Sequence, residues 1–387
     1  MVAEDKLMLK HLTSFFTHVM PSPPFVIKPK GRSRGCVVIS YLTWPFRDGW
    51  DSPKARGHTN AFEVTVMAEA YRDLGFRVEV IDCDNTKYVP PRDCRIAIDI
   101  HGNLERWHES LPSSCTRVLH ATGSHWLLWN QSELSRLERV RDCKGRALLP
   151  RRQVEPTRSA EIADHIVVLG NSYTIDSFSF TAAPCARVPI SSAYEFPWPE
   201  KRDFDKARKK FLWLGSYGMV HKGLDLTLEA FAGMPELELT VCGRPEKEED
   251  FMRLYLRELQ NTPNIRLHGW MDMSTSDFSD IARKHASVIY PSSAEGGAGS
   301  VIHCAHAGML PISTTEASVD LGNFGVHVAA GTVDAVQSAC RAVAEMSPTV
   351  VEARARGAYE HVRKEHTREK FRENYRNFAA MVANGIS

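Results

Sequence analysis

No stretch of roughly eighteen apolar residues occurs in the sequence, so nothing in it reads as a membrane-spanning helix. Neither sign of charge is in excess. The 48 Lys and Arg stand against 47 Asp and Glu, which removes any global electrostatic case for a nucleic-acid partner. Cysteine occurs nine times but never as a Cys-x-x-Cys pair or a cluster, and an odd, scattered set suits neither a disulfide framework nor a structural zinc site. A reducing, cytoplasmic setting fits that usage. No small-residue cleavage site follows the one leader-like stretch, Lys6 to Met20, and Lys10 and His11 break its apolar part, so no secretory signal is expected. Leu9, Leu12, Phe16 and Val19 within it fall near helical spacing. Such a stripe most often packs on its own protein, and its other use is peripheral contact with a membrane, here its inner face.

What is present in quantity is core. With 387 residues and 43% hydrophobic content the chain is long enough for two domains. Buried strands are expected at Cys36–Tyr41, Arg77–Ile81, Arg95–His101, Arg117–His120 and His165–Leu169, and again at Phe211–Leu214, Leu237–Gly243, Asn264–Gly269, Ala286–Tyr290 and Leu310–Thr314. Between the first two, Phe62, Val66, Ala70 and Leu74 share a helix face, with Asn60 able to cap its start and Gly75 its end. Strands alternating with helices predict βαβ units and parallel sheets, hence an α/β fold. The prolines and charge run of Ala193–Arg202 read as a linker, which puts the division near residue 200.

The most informative stretch runs from Tyr290 to Ile312. A strand leads into Glu295, then Gly296, Gly297, Ala298 and Gly299, then a small-residue helix starting near Ser300. Strand, glycine loop and helix is a phosphate-binding order, because glycine lets the backbone approach a ligand and the helix start aims N–H groups and a positive dipole end at an anion. Glu295, at the mouth of this loop, is read as addressing hydroxyls or developing positive charge. The combination suits a sugar carrying a diphosphate.

This stretch resembles the donor-site signature of retaining glycosyltransferases of glycosyltransferase family 4, which have the GT-B fold of two Rossmann-like domains facing across a cleft. Glu295 matches the first carboxylate of the signature and Gly308–Pro311 its end, whereas His303 stands where the second carboxylate, the ribose ligand, is found. Phe211–Gly223 is similar to the family element in which an arginine and a lysine clamp the donor diphosphate. Lys222 matches the lysine after Gly215, and Ser216 stands in the arginine's place. The resemblance implies Arg244 near the nucleotide base, His101 as the active-site histidine holding sugar or acceptor, and Glu295 orienting the sugar. It further implies an N-terminal acceptor domain over residues 1–200 with an extension at 1–34, a donor domain at 201–366, and a final helix, 367–387, that returns to the first domain.

On the acceptor side the candidates are Gly57, in the polar loop after the first strand, and His125 and Trp126, where aromatic and polar groups mix. Tryptophans spaced as Trp126 and Trp129 are more often core. Asp82-Cys83-Asp84 imitates a metal-binding Asp-x-Asp, for which solvated acids at a strand end are the better account, and His303, Cys304 and His306 lack the further ligands a metal needs. No cofactor or metal is expected. The implied reaction is transfer of a sugar from a nucleoside diphosphate donor to a hydroxyl of a glycan, lipid-linked or other acceptor. The alternatives are a GT-B-like protein that binds nucleotide or sugar without turnover, and a nucleotide-sugar epimerase of the same fold.

Overall fold

The computed structural model describes residues 22–50 and 52–385. The amphipathic stretch at 6–20 lies outside the described residues. Two sheets organise the chain. The first contains β1 (Phe25–Ile27), β2 (Cys36–Tyr41), β3 (Arg77–Asp82), β4 (Cys94–Asp99), β5 (Thr116–Ala121), β6 (His165–Val168) and β7 (Cys185–Arg187) in the order β1-β3-β2-β4-β5-β6-β7, with β1 alone antiparallel. The second contains β8 (Lys210–Leu214), β9 (Glu238–Cys242), β10 (Ile265–Gly269), β11 (Ser287–Tyr290), β12 (Leu310–Ser313) and β13 (Val326–His327), all parallel, in the order β10-β9-β8-β11-β12-β13. Helices cover both faces, so central strands such as β2 are buried along their whole length and read as unbroken apolar runs.

Six helices position the site: α1 (Thr59–Asp73), α2 (Trp126–Lys144), α3 (Leu224–Ala232), α4 (Gly299–His306), α5 (Pro348–Glu365) and α6 (Arg368–Asn384). Helix α1 is capped not by Asn60 but by His58, whose Nδ1 accepts the N–H of Ala61. An imidazole at the cap position competes with the shorter amide because it can reach back over the first turn. Strand β4 ends at Asp99, two residues short of His101, because the Asp99 carboxylate turns to accept the N–H groups of Asn103 and Leu104 and starts a short helix there. The last helix buries Phe371, Tyr375, Phe378 and Val382. Its Tyr375 ring lies 6.4 Å from Tyr71 on α1 and 6.0 Å from His120 on β5, so the end of the chain completes the core over the first sheet. No helix among the described residues is long and apolar enough to cross a membrane.

Candidate active site

The second sheet reverses its winding between β8 and β11, and the loops leaving two such neighbouring strands open the crevice where α/β sheets take ligands. The first of these loops delivers Lys222 and the second Glu295. Lys222 Nζ stands 2.8 Å from Glu295 Oε1 and also donates to the Tyr290 hydroxyl at 2.8 Å. That hydroxyl donates to the same Oε1 at 3.0 Å, as does Ser292 Oγ at 3.3 Å. Burial would raise the Glu295 carboxyl, but Lys222 first, then His221 and Arg152, outweigh it and hold the carboxyl at about 2. Burial draws the Lys222 ammonium below its usual value while Glu295 opposes that shift. The pair is therefore ionised and mutually satisfied.

Beside it lies the glycine loop. The N–H groups of Gly296 and Gly297 have no protein partner among the described residues, and α4 starts without a side-chain cap at Ala298. Gly299 and Ser300 form its first turn, leaving the positive end of an uncapped helix directed at the loop. Glycine is required at 296 for a second reason, since a Cβ there would fall 2.1 Å from the carbonyl oxygen of Thr122 after β5. The two halves of the molecule are thus closed on each other at the crevice.

The contacts that close them were not foreseen from sequence. Ser318, the only described non-glycine residue with positive φ (53°), receives the N–H of Asn171 at 2.9 Å, and Thr174, 2.6 Å from Ser318 Oγ, reaches the Glu295 carbonyl at 3.3 Å. Trp129 of α2 packs tilted against His221 with ring centroids 4.6 Å apart. His221 is buried, which lowers its pKa to about 3, and its Nε2 lies 2.6 Å from the Ala294 carbonyl. Short polar side chains in loops carry no periodicity, so only the folded chain brings Asn171 and Ser318 together.

Of the remaining expected residues, Gly215 and Ser216 follow β8, with Ser216 exposed and no cation in its place. Arg244, after the adjoining β9, lies 4.3 Å over the Trp270 ring after β10. His303 is corrected. Its Nδ1 stands 2.6 Å from the Gly299 carbonyl and its Nε2 accepts the Ala193 N–H at 2.9 Å, so both ring nitrogens are spent between α4 and the linker and none is left for a ribose. Burial lowers its pKa to about 4, against the pull of the Gly299 bond, which fixes the neutral ring. His101 sits half-buried in the turn after β4, and among the described residues no hydrogen bond joins it to Lys222 or Glu295. The glycine loop meets the end of β5 instead.

On the other side, Gly57 closes a short helix, Pro53–Arg56, and packs under the Tyr194 hydroxyl. Trp126 donates its indole N–H to Thr157 at 2.9 Å, so its polar atom holds a loop of its own domain. His125, whose pKa burial lowers, lies 4.7 Å from the ring of the exposed Phe180 and 5.3 Å from Trp126, an aromatic cluster at the surface. Asp82 is occupied by the N–H and hydroxyl of Thr43, each at 2.8 Å, which gives it a structural task.

Residues 208–346 match the family described as glycosyl transferases group 1. That segment is similar to a glycosyl transferases group 1 domain. It contains β8 to β13 and with them Lys222, Glu295 and the glycine loop. The described residues have the GT-B fold. The chain is similar to sucrose-phosphate synthase from Thermosynechococcus elongatus at 14% identity and a TM-score of 0.60, over 92% of this chain and 100% of that one. It is also similar to HepE from Anabaena, solved with UDP and glucose, at 10% identity and a TM-score of 0.56, over 90% and 99%. The GtfA/B complex matches at 14% identity and a TM-score of 0.51 over 75% of this chain, which spans only 57% of that longer chain. No curated protein sequence matches the chain.

Proposed function

We propose that the protein is a glycosyltransferase that moves a sugar from a nucleoside diphosphate sugar to an acceptor hydroxyl with retention of the anomeric configuration and without a metal ion, in the cytoplasm. The observation that carries this reading is the Lys222–Glu295 pair beside an uncapped helix start in the group 1 domain. As the bond from the anomeric carbon to the diphosphate breaks, negative charge grows on the leaving group and positive charge on the sugar ring. Lys222 and the amides of Gly296, Gly297, Gly299 and Ser300 suit the first charge, and the ionised Glu295 suits the second. Donor binding would exchange the Lys222–Glu295 bond for one from Lys222 to phosphate, leaving Glu295 free for a sugar hydroxyl. Because Gly296 touches Thr122, the halves must part to admit the donor and close again over it. The acceptor side belongs to the first domain, where the surface cluster of His125, Trp126 and Phe180 offers rings for a sugar face.

A panel of nucleoside diphosphate sugars tests the reading, scored for nucleoside diphosphate release with and without simple sugar acceptors and in the presence of a chelator. Turnover of one donor, lost in Glu295→Gln, is the expected result. A donor that binds but is never cleaved would instead make the protein a sugar-nucleotide binder, and interconversion of the free sugar nucleotide would make it an epimerase.

A further inference from the structure

The diphosphate site as built in the second domain has little net positive charge. Lys222 is offset by Glu295, and Ser216 brings no cation. The cations that α2 and the following loop send across the interface are offset as well: Arg139 by Asp225 at 2.8 Å and Glu229 at 3.0 Å, Lys144 by Glu258 at 2.9 Å, and Arg151 by Asp250 at 2.7 Å. Arg152 is the exception. Among the described residues its guanidinium forms no ion pair, and its Nε is buried without a hydrogen-bond partner.

Its position is specific. A Cβ built on Gly218, in the same loop as Ser216 and Lys222, would lie 2.5 Å from Arg152 Cγ, so the side chain runs directly along that loop. Its guanidinium carbon is 5.4 Å from the centre of the Trp129 ring, and that ring packs against His221, the neighbour of Lys222. The backbone beneath it is fixed, because the buried Glu133 carboxylate accepts the N–H groups of Arg151 and Arg152, each at 2.9 Å, and Gln153 Nε2 at 2.7 Å. The Arg152 charge also acts on Lys222, His221 and Glu295, which sets it within electrostatic reach of the pair.

We propose that Arg152, reaching over from the first domain, is the second cation of the diphosphate clamp and takes the role left empty by Ser216. An unpaired guanidinium whose planar fork suits phosphate oxygens is then delivered only when the two halves close, so the diphosphate is gripped from both domains. The inference rests on the proposed function, since it presumes a nucleoside diphosphate in the crevice.

The test is calorimetric titration of the full chain with UDP, GDP, ADP, CDP and TDP and with the matching nucleosides, at constant salt. For the diphosphate that wild type binds, Arg152→Gln should lose roughly ten- to a hundredfold in affinity, the loss expected for one charge-assisted contact, while the nucleoside binds as before. Arg152→Lys should fall between, and Ser216→Arg added to Arg152→Gln should restore binding. Unchanged diphosphate affinity in a folded Arg152→Gln protein overturns the inference and leaves the proposed function standing. So does an equal loss for the nucleoside that Ser216→Arg fails to rescue, which would mean that Arg152 only holds the loop. If wild type binds none of the five diphosphates, the proposed function falls and this inference with it.

Discussion

Lys222 and Glu295 are 73 residues apart and carry no mutual signal in the sequence. Each was legible only through its own loop, one glycine-bounded and one glycine-rich, and what could not be read is that they neutralise each other. Their pairing makes each a stability determinant as well as a ligand. Removing one partner leaves a buried charge, so Lys222→Met should cost about 3–5 kcal/mol in urea unfolding, whereas adding Glu295→Gln should recover part of that loss. A double variant as unstable as the sum of the singles would show that the two charges act independently. For turnover the expected order differs: Glu295→Gln should keep nucleoside diphosphate affinity and lose rate, because the amide keeps shape and loses charge. His303 shows the opposite failure of sequence reasoning. Its place in a motif pointed to the ribose, but the Gly299 carbonyl on its own helix and the Ala193 N–H of the linker had the stronger claim.

At the scale of elements, the strands were the most legible because each central one is sealed on both faces and leaves an apolar run, as in Cys36–Tyr41. Ends were less so, since caps are decided by single side chains: His58 in place of Asn60 for α1, and Asp99 cutting β4 short of His101. The loop that carries Arg152 was invisible, for it is organised by Glu133, eighteen to twenty residues earlier on α2. Glu133→Gln keeps one acceptor oxygen for three donors and sets an amide N–H₂ against N–H groups. It should destabilise the loop by about 1–3 kcal/mol. Limited trypsin digestion reads this directly: the variant should be cut quickly after Arg151 and Arg152 while wild type resists, and equal resistance would mean that Asp250 alone holds the loop.

At the scale of the whole molecule, six histidines among the described residues are buried neutral: His120, His221 and His306 with pKa values lowered by burial to about 3, and His285, His303 and His366 to about 4. In the unfolded chain each would titrate near 6.5, so below that pH the unfolded state binds protons that the folded state refuses. Stability is therefore full above about pH 6.5 and falls on acidification, by up to about 1.4 kcal/mol per pH unit for each histidine, until their folded pKa values are reached. Unfolding midpoints at pH 7.5, 6 and 5 should drop steeply and with growing slope, and a flat profile over that range would contradict the burial of these rings. The two-sheet architecture was readable from the alternation of strands and helices. The closure of the halves was not, because it rests on contacts such as Gly296 against Thr122 and Asn171 with Ser318, each invisible until both loops are in place.

The final helix has a consequence for how the chain is made. Phe371 and Tyr375 seal the core over the first sheet, so during synthesis that core stays open until the helix at 368–384 has left the ribosome. The strands from 210 to 327 have emerged by then and depend on no later strand. Nascent chains usually fold from the N-terminus onward; here the second sheet can be finished first, and the first waits, with its apolar strands uncovered, for residues 368–384 to arrive.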